Sequence, residues 1–429
     1  MKDSRFSRAE FLALTSLLAG STLFPKRGDA APDGGTPSLR TVKSPGLAGV
    51  PAPDAGVATP KAGPAAAGSQ AEYEQLRQGC TASLPVRSTS GDGAEYARIG
   101  EWMQRQKLSS DVYGNGDFVQ AFEKKLADLL GFEDACFMPT GTMAQLIALR
   151  IQADASNVRT VGVHPSSHHV LHEDDAYAVL HQLRAVYLGP WTRPLLAEDV
   201  ASSRDVLGSV SVELPVRWLG GQLQTWEQLQ ELKRTCRDRK VKLHMDGARL
   251  WESQPFYGRS YADLCKGFDS VYVSFYKMVG GIGGAMLVGS RDFIQQARVW
   301  RHRHGGNLYH LAPLVASAAM RFDAALAAIP GYVKRAKALT ALLAADSRVT
   351  VLPQPVQTNM FHVFLRGSPQ AYNRQRDRIA REDRVWVAGG FGQTRVPGVV
   401  STELQVSEGL QGISDADAAR AFLRLLEAA

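Results

Sequence analysis

From about residue 118 to residue 290, short apolar runs alternate with segments of helical periodicity, and this alternation restricts the fold more than any other feature of the chain. Phe118, Phe122, Leu126, Leu129 and Leu130 recur at the spacing of one helix face, and Gly131 follows as a stop. Strand-like runs then come at Ala135–Met138, Thr160–Val163, Ala185–Leu188, Val210–Leu214, Val241–Met245, Ser270–Ser274 and Gly284–Val288. Strands that take turns with helices bury both faces of a sheet, which predicts an α/β fold with a mainly parallel central sheet. After Pro330 the pattern changes. Strands near 349–352, 360–364, 385–387 and 399–405 surround helices near 369–381 and 414–427, as in a smaller α+β domain. The expected organisation is a large domain over 71–330 and a small C-terminal domain over 331–429.

The N-terminal part reads differently. Lys2, Arg5 and Arg8 precede an apolar run from Phe11 to Phe24. That run is shorter than the ~20 residues of a membrane span and fits the h-region of a signal peptide. Ser7 to Leu12 is similar to a twin-arginine export motif with Ala9 in place of the second arginine. The expectation is a signal-like segment over 1–28, with export to the periplasm favoured over a cytoplasmic location. Residues 29–70, rich in Ala, Pro and Gly, cannot bury enough apolar surface to offset their ordering entropy and read as a disordered linker. No later stretch offers ~18 uninterrupted apolar residues, so no membrane span is expected in the mature chain.

Charge and cysteine usage narrow the function classes. With 49 Lys plus Arg against 42 Asp plus Glu, a net charge of +7 and no run of five basic residues, a nucleic-acid partner is not indicated. Cys80, Cys136, Cys236 and Cys265 are widely spaced and form no CxxC pair. Isolated buried thiols are expected, with disulfides open for an exported chain, and no metal site is read.

Three segments carry chemistry. In Lys242-Leu243-His244-Met245-Asp246-Gly247-Ala248-Arg249 an apolar strand runs into an acid at its carboxyl end, where open α/β sheets bind ligands. Asp246 there suits a pyridinium nitrogen, although an Asp that caps the following helix reads the same way. Lys277 follows a strand and precedes Gly280-Gly281-Ile282-Gly283-Gly284, a place suited to a Schiff-base lysine, or to a solvated loop lysine. Thr140-Gly141-Thr142 joins a strand to a helix N-terminus, whose free N–H groups form a phosphate cradle.

The ordered set resembles the pyridoxal-phosphate (PLP) enzymes of aspartate-aminotransferase fold, and among them the threonine aldolase/β-eliminating lyase family. The matching strings are SSDVYGNGDFVQAFEKKLADLLG, MPTGTMAQLIALR, SHHVLHE, HMDGARL and YKMVGGIGGAMLVG, and the likeness covers residues 109–320 well and the C-terminal part loosely. The resemblance implies a three-layer large domain like that of other PLP transferases, and pyridoxal 5'-phosphate as cofactor. It makes Lys277 the lysine that binds the cofactor covalently, Asp246 the partner of the ring nitrogen, and Gly141 with Thr142 the phosphate holders. Arg249 would lie near the cofactor O3′ and the substrate carboxylate. His168, five residues before Glu173, would stack on the cofactor ring as a second catalytic group, against the alternative of a surface histidine in a turn that also holds His164, His169 and His172. Ser109 or Ser110 would sit near the substrate carboxylate, and Tyr113-Gly114 near a subunit boundary of a homodimer or homotetramer.

Departures from the family pattern bear on the substrate. Val216 stands where the family carries the histidine that handles the substrate hydroxyl, and Tyr276 precedes the lysine in place of the usual serine. The C-terminal carboxylate-binding arginine has no clean match; Val399 to Glu403 occupies its neighbourhood, and Arg395 is the candidate substitute. Tyr309 and His310 are candidate replacement bases. The expected activity is cleavage of a β-hydroxy-α-amino acid, a small-molecule substrate, to glycine and an aldehyde. The alternatives are β-elimination or another Cα reaction, and a non-catalytic PLP-fold protein.

Overall fold

The computed structural model describes residues 70–85 and 92–428; the signal-like segment and the linker up to residue 69 lie outside the described residues. In chain order the strands are β1 (Ala82–Ser83), β2 (Asp134–Met138), β3 (Thr160–Val163), β4 (Arg184–Tyr187), β5 (Ser209–Glu213), β6 (Lys242–Gly247), β7 (Ser270–Ser274), β8 (Ala285–Gly289), β9 (Thr350–Leu352), β10 (Met360–Arg366), β11 (Val385–Trp386), β12 (Gly392–Gln393) and β13 (Val399–Gln405). β2 through β8 form a seven-stranded sheet in the order β2-β8-β7-β6-β5-β3-β4. β7, β6, β5, β3 and β4 run parallel, and β8 alone is antiparallel to its neighbours β2 and β7. β2 therefore points the same way as β7, and the carboxyl ends of β2, β3, β5, β6 and β7 share one edge of the sheet. This is the α/β fold expected, and that edge is where parallel sheets place ligands.

The strands are nearly continuous runs of buried residues because helices cover both faces. Val210, Val212, Leu243, Met245, Val271 and Val273 enter one core with Phe122, Leu126 and Leu130 of the helix Asp117–Leu130. That helix ends, as its sequence predicts, on Gly131 at φ 75°, a left-handed cap. A second sheet, β12-β13-β10-β9, is antiparallel and packs with the helices Pro369–Asp383 and Asp415–Leu423.

The helix Ala312–Leu343 links the two cores. Val315, Phe322, Ile329 and Val333 belong to the first, and Ala336, Leu339 and Leu343 to the second. It runs through Pro330, where the sequence pattern marks a change; the proline costs an internal hydrogen bond, and buried residues on both sides of it hold the helix in place. By length and composition this helix is apolar enough to cross a membrane, although its apolar side chains pack into both cores. Phe322 is 1% exposed against Phe122, Trp251 and Phe275, so Phe322→Ala costs roughly 3–5 kcal/mol. All four cysteines are buried, and no disulfide joins any of them among the described residues.

Candidate active site

β2, β3, β5, β6 and β7 each bring a candidate side chain to the same sheet edge. Beyond β2, Thr140 caps the helix Gly141–Ser156 by accepting the Met143 N–H at 3.2 Å. The N–H groups of Gly141 and Thr142 remain at the positive end of a 16-residue helix. Residue 141 must be glycine because a Cβ there would lie 2.1 Å from the Tyr272 hydroxyl. His168 and His172 follow β3, Glu213 and Arg217 end and follow β5, Asp246 and Arg249 end and follow β6, and Lys277 follows β7.

These groups meet. Thr142, His168, Asp246, Arg249 and Lys277 line one small cavity, and Gln145, His172, Glu213, Arg217, Trp218, Ala248, Tyr272 and Tyr276 complete its wall. A wider, more open groove lies between Arg348 and Arg424, but its guanidinium groups are already paired with carboxylates, Arg424 with Glu382 and Asp383. The candidate residues converge on the smaller cavity.

Asp246 is buried, and its Oδ1 accepts the Ala248 N–H at 3.1 Å. The N-cap of the next helix is Arg249, so Asp246 is not the cap, and its Oδ2 has no hydrogen-bond partner among the described residues. The Nζ of Lys277 has none either and lies 5.0 Å from the Tyr276 ring centroid. Burial, Arg249 and Arg217 bring the lysine down to about 8, against the pull of Asp246 and Glu403, so a large fraction is neutral and nucleophilic near pH 8. Burial first, then Asp246, lifts Glu213 to about 8, which makes it a neutral acid at pH 7.

The histidines form a second network. His168 Nδ1 sits 2.9 Å from Glu173 Oε1, and His169 Nδ1 sits 3.4 Å from Glu173 Oε2. Burial opposes ionisation of Glu173, but the charge on His169 and the hydrogen bonds of both histidines hold it at about 2. An ionised carboxylate only accepts, so His168 Nδ1 carries a proton and the ring is fixed in orientation. Trp218 Nε1–H donates to His172 Nε2 at 3.1 Å, with ring planes only 10° apart and centroids 5.8 Å apart, an edge-to-edge arrangement. Burial and the nearby His168, Arg217 and Lys277 hold His172 down at about 4, so it is neutral with its proton on Nδ1.

Ser109, Ser110 and Arg395 are not brought to this cavity. Ser109 is exposed, and Ser110 Oγ pairs with His310 Nδ1 at 3.0 Å. Asp111, the next residue, accepts the N–H groups of Gly114, Leu311 and Ala312 and so ties that segment to the start of the helix Ala312–Leu343. Arg395 is exposed over Trp191, its guanidinium 5.4 Å from the ring centroid. Tyr309 meets Tyr113 edge-on, and His310 also contacts the Asp111 carbonyl; neither lines the cavity. Val216 is buried with an apolar side chain, and its backbone N–H donates to the Gln222 carbonyl.

Residues 97–366 match the profile of a family described as beta-eliminating lyase. The chain belongs to this family. The lyase is 25% identical over 323 residues to low-specificity L-threonine aldolase 1 of Arabidopsis thaliana, a match that covers 69% of this chain and 86% of the relative. It is 30% identical over 227 residues to the low specificity L-threonine aldolase of Escherichia coli K12, covering 51% and 66%. Among solved structures, a candidate L-allo-threonine aldolase from Listeria monocytogenes superposes with a TM-score of 0.77 at 37% identity, covering 82% of the lyase and 98% of that chain. A candidate aromatic amino acid beta-eliminating lyase/threonine aldolase from Exiguobacterium gives 0.77 at 32% identity, covering 83% and 100%. The serine palmitoyltransferase of Sphingomonas wittichii, 16% identical with a TM-score of 0.59, shares the fold.

Sequence reasoning about this lyase missed Arg217, Trp218 and His172 as cavity residues. Arg217 and Trp218 stand directly after Val216, in the stretch where the family pattern is broken, and that break was the available signal. His172 was legible only as a neighbour of His168.

Proposed function

We propose that this chain is a PLP-dependent lyase that cleaves the Cα–Cβ bond of a β-hydroxy-α-amino acid, releasing glycine and an aldehyde. The observation that carries this reading is the meeting of Lys277, Asp246, His168 and Thr142, at the start of the helix Gly141–Ser156, in one cavity. The fit rests on groups that the protein leaves unpaired there. Arg249 Nε is buried without a partner, Lys277 Nζ has none, and the helix N-terminus faces the same space. When bound, the cofactor supplies an aldehyde that condenses with amines and a ring that accepts the electron pair released at Cα.

The chain's own residues do the rest. Gly141 and Thr142 N–H groups would take the phosphate, supported by the helix dipole. Lys277 would hold the cofactor covalently, and Asp246 Oδ2 would face the ring nitrogen. His168, fixed by Glu173, presents a flat ring to the cavity. Neutral Glu213 keeps a second full negative charge away from Asp246 at pH 7. Absorbance spectra before and after borohydride, with peptide mapping, test the anchor; a modified residue other than Lys277 refutes it. Quantified glycine from threonine and allo-threonine tests the bond broken.

A second reading, β-elimination, is favoured by buried, apolar Val216, which cannot take a hydroxyl proton. Ammonia and keto-acid release from β-substituted alanines, without glycine from threonine, would select it.

A homodimer or homotetramer is part of the proposal. Val112, Tyr113, Leu308 and Tyr309 form an exposed apolar group at the Tyr113-Gly114 turn, and light scattering on the purified chain tests it. Export is a further part, carried by the N-terminal pattern alone; cell fractionation with N-terminal sequencing checks it.

A further inference from the structure

We propose that Arg217 grips the α-carboxylate of the amino acid substrate and that Glu403 is its positioning residue. This rests on the function proposed above and assigns to a β5-side turn the task that the family pattern gives to a C-terminal arginine. Arg217 opens a 3₁₀ turn after β5 and lines the cavity beside Lys277. Its backbone N–H donates to Glu213 Oε1 at 3.0 Å, and its Nε–H donates to Glu403 Oε2 at 2.8 Å. Both terminal nitrogens lack a hydrogen-bond partner among the described residues, so the end-on edge of the guanidinium remains for a planar anion.

Glu403 is on β13, in register with His362 of β10, whose Nε2 is 3.6 Å from Glu403 Oε2. The segment Val399 to Glu403, in the neighbourhood of the missing arginine, thus supplies the carboxylate that orients Arg217. Burial works against ionisation of Glu403, but His362, Arg217 and Arg249 hold it well below the usual carboxylate range. The cavity presents Arg217, Arg249 and Lys277 against Asp246, with Glu403 outside its lining but bonded to Arg217 and Glu213 a neutral acid, so cationic capacity remains for both a phosphate and a carboxylate. Arg249 follows Asp246 at the strand edge in the same cavity, and Arg217, held from the second sheet by Glu403, is the further cation there with its terminal nitrogens open. An arginine fixed by one carboxylate through Nε reads a second carboxylate with little loss of side-chain freedom.

The test compares glycine with methylamine, which lacks a carboxylate, by their effect on the cofactor absorbance of loaded protein. Arg217→Met is expected to weaken glycine binding roughly 10- to 100-fold, the range for a lost hydrogen bond to a charged group, and to leave methylamine binding and borohydride-trapped cofactor unchanged. Glu403→Gln is expected to raise KM more than it lowers kcat, and Arg217→Lys to recover part of the glycine affinity. Equal glycine binding by wild type and Arg217→Met overturns the proposal, as does a matched loss for both amines. If wild-type protein itself shows no absorbance response to either amine, the cofactor reading fails and takes this one with it. If wild type responds and the variant discriminates no differently, only the carboxylate assignment fails.

Discussion

Glu213 and Asp246 are register partners on the neighbouring parallel strands β5 and β6, which sets two carboxyl groups side by side in the cavity. Like charges that close do not both ionise easily, and burial adds to the effect, so Glu213 holds its proton up to about 8. Its folded value is raised above its unfolded one. The stability it contributes is therefore complete below the ordinary carboxylate range and is lost as pH rises through about 8. Glu213→Gln keeps the neutral shape, so its melting temperature relative to wild type should climb between pH 6 and pH 9. A constant difference across that range would show that Glu213 is ionised throughout.

Lys277 gives a kinetic prediction. Only the neutral amine condenses with an aldehyde, so the rate of cofactor uptake by apo protein should rise with pH and level off above about 8. Lys277→Ala should retain no borohydride-fixed absorbance. An uptake rate that keeps rising to pH 10 would mean that the lysine is not depressed by burial and its two arginine neighbours.

Gly141→Ala places a methyl group 2.1 Å from the Tyr272 hydroxyl, inside a packed region that must shift. The expected cost is about 1–3 kcal/mol of stability. Because the same backbone N–H would face the phosphate, cofactor affinity should fall as well. Calorimetric unfolding and a cofactor titration check both; normal values in each would mean that the helix start is free to adjust.

Trp218→Phe removes the N–H that fixes His172 with its proton on Nδ1. Nitrogen-detected NMR should show one dominant His172 tautomer in wild type and a mixture in the variant. Stability should drop by only about 0.5–1.5 kcal/mol, the net worth of one hydrogen bond.

His181 is 1% exposed, with both ring nitrogens unpaired, and burial, followed by His304 and Arg150, holds it at about 4. The unfolded chain binds this proton more readily, with a histidine value of about 6.5. Stability is thus complete above about 6.5 and falls as pH drops toward 4. His181→Phe can keep the ring contacts with Trp300 and His304, and it should raise the melting temperature relative to wild type more at pH 5 than at pH 7.5. The same shift at both values would place the acid sensitivity elsewhere, with buried His244, held at about 3, as the next candidate.

Much of this was legible in the sequence because it is local. The strand-then-helix alternation, the Thr140 cap, the Gly131 stop and the acid that ends β6 depend on residues a few positions apart. Lys277, Asp246, Gly141 and Thr142 follow from that local pattern plus the rule that parallel strands offer their carboxyl ends to one side, whereas His168 and Arg249 are named only through the family resemblance. What the sequence could not set was which of those ends lie next to one another. The order β2-β8-β7-β6-β5-β3-β4 pairs Glu213 with Asp246 and brings Arg217, from the turn after β5, to Glu403 on a strand 186 residues away. The same packing keeps Ser110 with His310 and turns Arg395 toward Trp191, away from the cavity. Periodicity and capping are decided within a few turns of chain, while cavities and charge pairs are decided by burial against distant segments, and only the tertiary structure carries that information.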